Sequence, residues 1–464
     1  MNASTEIEAA LERRGQTRML PGLDRIKALL DAMGNPQRAY PTIHVAGTNG
    51  KTSTSRMIES LLRAHGLRTG RHTSPHLDSV AERIALDGEP ISAERLREVY
   101  TDVAPYVDLI DAANRETGDT VTYFEFVTAL AFSAFADAPV DAAVIEVGLG
   151  GRWDATNVID SHIAAITPIG MDHQAILGET IGKIATEKAG IIAEDAVVVS
   201  AAQPVEAVES LLTQVASRNA TLAREGLEFG VRDRELAFGG QRLTLQGLSG
   251  IYSNILLPLH GAHQAQNASV ALAAVEAFFG AGADKSLSGA GADKSFGGAG
   301  ADKALDPDVV REAFAQVTSP GRLERMRTSP TIVIDAAHNP HGLTAVVAAL
   351  SEAFSFSRLV AIVGIAADKD AKGMLEVLEP VADQLVVTRN SSERSMDPDE
   401  LAAVAVDIFG PDRVNVSLRM DDAIESAVAI AEEEDFEGGS PLSSSGVLVT
   451  GSVVTAADAR RLLR

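Results

Sequence analysis

Gly47-Thr48-Asn49-Gly50-Lys51-Thr52 is the segment of this chain whose residue types could most directly do chemistry. An apolar run, Ile43-His44-Val45-Ala46, leads into it. After it, Met57, Ile58, Leu61 and Leu62 recur at helical spacing, and Gly66 supplies a stop. That order predicts a strand, a tight turn and a helix. Glycines let backbone amides curl toward a phosphate, Lys51 brings a point charge for the β and γ oxygens, and the Thr52 hydroxyl can reach Mg²⁺. The helix N-terminus adds partial positive charge. The common phosphate loop puts four residues between its first Gly and the Gly-Lys pair; here only Thr48 and Asn49 intervene. The plain alternative is a turn that uses glycine for geometry alone. Gly-Lys-Thr at a strand–helix junction favours a nucleotide.

Other candidates lie further along. Glu146 ends the apolar run Ala142-Ala143-Val144-Ile145, and a carboxylate beside a phosphate loop suits Mg²⁺, which takes oxygen ligands. A helix-capping acid is the alternative. His173 stands beside Asp172, where an isolated histidine would usually be structural. Lys188 follows Glu187, and a surface pair is its simplest reading. Tyr123-Phe124 could pack against a flat ring or simply fill a core.

The elements that must position these groups read as α/β. Near-continuous apolar runs at 43–46, 142–147, 163–166, 197–199, 332–334, 359–363, 385–387 and 447–449 alternate with helix-like stretches. Such runs are strands buried on both faces, and with helices between them they predict parallel, doubly wound sheets. They fall into two sets. The first predicts an N-terminal phosphate-loop domain, with shorter strands from about 225 to 260 as a small β subregion and then a helix from Gln266 to Phe279. The second predicts a C-terminal Rossmann-like domain. The turn-prone Ser319-Pro320-Gly321 divides them, giving domains at 1–319 and 320–464. Three nine-residue units begin at Gly280, Gly289 and Gly298. Their Gly-x-Gly-x-Asp core is that of a calcium β-roll, but Leu287 and Phe296 fall three places after the Asp rather than two, so a surface loop grown by tandem duplication is expected. Glu432-Glu433-Glu434-Asp435 and Gly438-Gly439-Ser440 read as a solvated loop before the last strand.

The 464 residues are 45% hydrophobic and 22% charged, enough to build cores and too apolar for wholesale disorder. A net charge of −24 argues against a nucleic-acid or anionic-membrane surface, while leaving room for a small anion held locally. With no cysteine, disulfides, zinc-thiolate sites and Cys nucleophiles are excluded, and a cytoplasmic location is expected. The N-terminus shows no signal-peptide pattern, and no apolar run is long enough to span a membrane.

The short loop resembles that of the Mur ligase superfamily, ATP-dependent enzymes that form amide bonds. More of the chain is similar to one branch, the folylpolyglutamate synthase/dihydrofolate synthase family. The matching pieces are Thr73-Ser74-Pro75-His76-Leu77, Thr122-Tyr123-Phe124-Glu125-Phe126, the stretch from Glu146 to Asn157, Met171-Asp172-His173, Glu187-Lys188-Ala189-Gly190, Asn267, Gly321-Arg322 and Asp335-Ala336-Ala337-His338-Asn339-Pro340-His341. They occur in the family's order over nearly the whole chain. Where the family's loop often has Gly after the Lys, this chain has Thr52-Ser53-Thr54, which leaves open which hydroxyl meets the metal.

The resemblance implies an ATP- and Mg²⁺-dependent ligase that works through an acyl phosphate. It implies that Gly47 to Ser53, Asn267, Arg322 and Asp335 hold the nucleotide, and that Ser74 and His173 join Thr52 and Glu146 as metal ligands. Lys188 would be carbamylated and contact a second metal ion, and His338 would lie near the reacting centre. Ser74, Pro75, His76, Thr122, Tyr123, Phe124, Glu125 and Arg25 would line the pterin pocket. Arg394 is a candidate for the incoming glutamate. The reactions expected are dihydropteroate plus L-glutamate to dihydrofolate, and γ-linked glutamate addition to reduced folates, in a monomer. The rivals are a cell-wall Mur ligase and a phosphate-loop NTPase switch that hydrolyses ATP without ligating.

Overall fold

The computed structural model describes residues 3–15, 20–116, 118–285, 304–433 and 445–464. Most of the nine-residue units, and the Gly438-Gly439-Ser440 stretch, lie outside the described residues. The first unit is an exception to the expected loop: the helix Ala262–Lys285 carries through its opening residues.

The first sheet has eight strands in the order Glu89–Pro90, Ile84–Leu86, Thr69–His72, Ala142–Glu146, Thr42–Ala46, Ile163–Ile166, Val197–Ser200 and Thr221–Arg224. The last six are mutually parallel; the first two form an antiparallel edge. Thr42–Ala46 and Ala142–Glu146 are buried at every position, which is why they read as unbroken apolar runs. Lys51–Ala64 and Ala262–Lys285 pack on one face through Met57, Ile58, Leu61 and Ala271. Tyr123–Asp137 covers the other face through Phe126, Leu130 and Phe132.

Thr69–His72 carries no apolar signature, yet all four residues are buried. Its Arg71 is 1% exposed and paired with Glu59 at 2.6 Å, and a side chain at Gly70 would collide with the Phe135 ring. A polar strand is tolerated here because its charge is paired and hydrogen-bonded.

Gly230–Ala237, Gly240–Gln246 and Ile251–Leu257 form a three-stranded antiparallel sheet, within the span expected for short strands. Its Leu243, Leu245, Ile255 and Leu257 join the core beneath Ala262–Lys285. The second large sheet has six strands in the order Glu324–Thr328, Thr331–Ile334, Ser445–Thr450, Arg358–Val363, Gln384–Thr388 and Val414–Ser417. Only the first is antiparallel. Helices cover both faces, one core holding Val333 and Leu343, the other Ile334 and Ile424. No helix among the described residues is long and apolar enough to cross a membrane.

In open parallel sheets ligands sit beyond the carboxyl ends of the strands. Here the two large sheets direct those ends at one cleft of about 710 Å³. Asn49, Glu146, Pro168 and Asp172 come from the first sheet's strand ends; Asp335, Ala366, Asn390 and Ser452 come from the second's.

Candidate active site

The loop after Thr42–Ala46 turns at two glycines with positive φ. At Gly47 (φ +148°) a Cβ would overlap Thr167, and at Gly50 (φ +88°) it would strike Asn267. Both the backbone conformation and the close approach require glycine. The amides of Thr48 and Asn49 donate to the Pro168 carbonyl, and Thr48 Oγ1 exchanges hydrogen bonds with Gly170. Lys51 folds back over the turn, its Nζ donating to the carbonyls of Gly47 at 3.2 Å and Thr48 at 3.0 Å. Burial lowers the Lys51 pKa, against the pull of Glu146 and Asp172.

Glu146 is 1% exposed at the end of its strand. Thr52 Oγ1 donates to its two oxygens, at 2.9 and 3.1 Å, and the Ser74 amide approaches at 3.4 Å. The neighbouring hydroxyls turn away: Ser53 Oγ pairs with Ser319 Oγ at 2.9 Å, and Thr54 is buried without a hydrogen-bond partner. Of the three hydroxyls, Thr52 is therefore the one that meets the carboxylate. Burial raises the Glu146 pKa, opposed by Lys51, Thr52 and Ser74. A buried carboxylate flanked by a hydroxyl is a set of hard oxygen donors, and it fits Mg²⁺. Among the described residues no three His, Asp or Glu side chains cluster to hold a metal, so such a site would lean on hydroxyl, phosphate and water oxygens.

Lys188 lies in the last turn of Ile181–Ala189, which Thr180 caps. It is no surface residue. At 4% exposure its Nζ donates to Gly47 O at 2.7 Å, and the surface pair with Glu187 does not form. Burial, with Lys51 nearby, lowers its pKa to about 7. The Gly148–Gly151 turn packs tightly on this helix: a Cβ on Gly151 would lie 2.6 Å from Glu187 O.

Asp172 is a hub. Its Oδ1 accepts from the His173 amide at 2.8 Å and from Lys369 Nζ at 2.5 Å; its Oδ2 accepts from Asn339 Nδ2 at 3.0 Å, with His338 Nε2 at 3.4 Å. Burial alone would raise this carboxyl, but His338, His173 and Lys369 hold it well below the usual carboxylate range. His173 adopts φ +49°, and burial lowers its pKa to about 4 despite Asp172. Its Nε2 lies 3.3 Å from Lys369 Nζ.

The cleft continues toward Ser74, Pro75, Thr122, Tyr123, Phe124 and Glu125. The aromatic pair divides its work. Tyr123 is 3% exposed beneath the Arg83 guanidinium, 5.2 Å from its ring centre, whereas Phe124 is half-buried against Gly148 and the His72 ring. Thr122 and Glu125 form a capping box that starts the helix. Arg25 and His76 are not among the cleft-lining residues. Arg25 Nε is paired with Glu125 at 3.1 and 3.2 Å, and His76 Nδ1 accepts from Arg83 Nε at 2.8 Å.

From the second sheet, Asp335 is 2% exposed and accepts from the amides of Leu323 and Ala337; burial raises its pKa. Arg322, Asn267 and His338 line the same cleft. Arg394 does too, paired with Asp368 at 2.5 Å. Around Asp172, Lys369 and Asn339 carry no assignment from sequence. Lys369 sits in a polar segment beyond Arg358–Val363, where only its place after a parallel strand marks it. Asn339 lay inside a recognised motif without a role of its own.

The Mur ligase middle domain model matches residues 45–275, and the Mur ligase glutamate ligase domain model matches 321–452. These define the class: a two-part Mur-type ligase. Dihydrofolate synthase/folylpolyglutamate synthase of Mycobacterium tuberculosis is 49% identical over 98% of this chain and 93% of its own. The Bacillus subtilis protein of the same name is 32% identical over 96% of this chain and 95% of its own. A solved structure of Mycobacterium tuberculosis folylpolyglutamate synthase complexed with ADP superimposes with a TM-score of 0.91 at 48% identity, covering 99% of this chain and 98% of that one. The chain belongs to the dihydrofolate synthase/folylpolyglutamate synthase family.

Proposed function

We propose that this chain is an ATP- and Mg²⁺-dependent ligase that joins L-glutamate to dihydropteroate and adds γ-linked glutamates to reduced folates. The observation that carries this reading is one continuous cleft. It has the glycine turn, Lys51, Thr52 and Glu146 at one part of its wall and Phe124 at another.

Joining a carboxylate to an amine consumes ATP through an acyl phosphate, so the protein's work is positioning, charge neutralisation and exclusion of water. The loop from Gly47 to Ser53 would cradle the phosphates, with Lys51 leaving the Gly47 and Thr48 carbonyls to meet them. Asn267, Arg322 and Asp335 complete the nucleotide's surroundings from the facing walls. Thr52, Glu146, Ser74 and His173 would hold Mg²⁺, and a carbamylated Lys188 would contact a second ion. Bound there, the metal would neutralise phosphate charge. A Lys188 amine lowered to about 7 is neutral often enough to react with CO₂, which supports its carbamylation. His338 and Lys369 bring polar groups from the second sheet to the same centre. Phe124 offers a face to the pterin ring, with Ser74, Pro75 and Thr122 around it.

Residues 1–319 and 320–464 are read as the two working domains. The enzyme is read as a monomer. The cysteine-free composition suits the cytoplasm.

The test is a coupled assay with dihydropteroate or tetrahydrofolate as acceptor. ADP and phosphate should appear in proportion to amide formed, and only when acceptor and glutamate are both present. Nucleotide turnover without them would point to a hydrolytic switch, and ligation of a nucleotide-sugar acceptor to a cell-wall enzyme.

A further inference from the structure

Asn339 opens the helix Pro340–Ala353 as its N-cap, with Oδ1 accepting from the Gly342 amide at 2.7 Å. The residue is 2% exposed, and its amide group is used in full. Oδ1 also accepts from Asn49 Nδ2 at 3.1 Å. Nδ2 donates to Asn49 Oδ1 at 3.1 Å and to Asp172 Oδ2 at 3.0 Å. Asn49 Nδ2 additionally faces His341 Nδ1 at 2.8 Å.

Capping a helix needs only an acceptor oxygen, which Asp or Ser would supply equally well. Both N–H groups of Asn339 serve something else. They cross to the first sheet, one to the phosphate loop and one to the carboxylate next to His173. The two asparagines each give one N–H and take one, so the pair is satisfied in a single relative placement of the two sheets. A buried amide that lost these partners would be left with unpaired donors.

We propose that Asn339 is a positioning residue that registers the second sheet against the phosphate loop through Asn49 and Asp172, so that its sequence neighbour His338, and Lys369 on the same carboxylate, arrive at the reacting centre in place. The catalytic consequence rests on the ligase reading; the registration itself does not.

The chain has no cysteine, so labels can be placed without removing any. Lys183 and Glu376 are exposed on helices of the first and second sheets. Spin labels on a K183C/E376C chain report the distance between them with and without ADP. Asn339→Ser keeps the cap acceptor and removes both crossing donors. Asn339→Asp does the same and sets a carboxylate beside Asp172. The expected result is a longer, broader distance distribution without nucleotide, larger for the Asp variant than for the Ser variant. In the unlabelled variants kcat should fall roughly 100-fold, as for a small misplacement of reacting groups, with ADP affinity near that of the parent. A residue that only caps its helix would leave both variants with the parent's distances and turnover, and that result overturns the proposal. Should the Asp variant not fold, the Ser variant decides alone. A parent that bound no ADP would count against the nucleotide reading, while the nucleotide-free distances would still decide this one.

Discussion

Lys188 Nζ donates to the carbonyl of Gly47 at 2.7 Å, joining the end of one helix to the first residue of the phosphate loop across 141 positions of sequence. The loop's outer carbonyls are thus taken by two lysines, Lys51 and Lys188, and its later amides are left for a ligand.

The first expectation concerns pH. Lys188 has a folded-state pKa near 7 against an ordinary 10.5, so the unfolded chain holds a proton that the folded chain releases between those values. The residue therefore opposes folding most fully below about pH 7, and its opposition fades as pH rises toward 10.5. Urea unfolding of Lys188→Met across pH 6 to 10 should show the largest gain over the parent at the acid end. A gain that grows with pH would contradict the burial argument. At a fixed concentration of dissolved CO₂, the same neutral amine predicts faster recovery of activity at pH 8 than at pH 6, with ¹³C-carbamate visible by NMR.

Lys51→Ala should leave the fold intact and lower kcat by roughly 100- to 1000-fold, the usual cost of losing a preorganised charge at the transferring group. Near-parental ligation would remove the phosphate-loop assignment.

Glu146→Gln keeps the shape beside Thr52 and removes the anion. Calorimetric titration with ATP should find that the gain in affinity conferred by Mg²⁺ drops by at least about tenfold. An unchanged Mg²⁺ dependence would place the metal elsewhere.

Arg25→Ala should act on stability before affinity, since it strands Glu125 inside the fold. Loss of one partner of a buried pair costs about 3–5 kcal/mol, and a lowered Tm with an unchanged acceptor KM is expected. A raised KM at unchanged Tm would return Arg25 to the substrate pocket.

Excision of the unit 289–297 should leave kcat, KM and Tm as in the parent. The flanks hold themselves: the Leu305 amide bonds Tyr252 Oη, and Asp306 caps Pro307–Ala315. Collapse of folding would make the repeats structural.

Much of the core was legible because a strand buried on both faces leaves an unmistakable apolar run, as at Ile43–Ala46 or Leu359–Val363. Thr69–His72 was not, because its burial depends on Glu59 and Phe135, partners far along the chain that no local pattern announces. The edge strands Glu324–Thr328 and Val414–Ser417 are too exposed for an apolar signature. In the site, Lys51, Thr52 and Glu146 were readable from a local motif and a strand end. Lys369 is a lysine among acids until the fold carries it to Asp172. His76 stands inside a matching motif and Arg25 near the N-terminus, yet their side chains turn to Arg83 and Glu125.

One hydroxyl contact has a mechanical reach. Ser53, in the first turn after the phosphate loop, is bonded to Ser319, two residues before Gly321 with its φ of +68°. The connection between the two large sheets is thus moored beside the phosphate loop, and Gly321 is itself held by Glu324 and the Ala336 amide. A shift of the helix that opens at the loop would therefore be felt first at this connection.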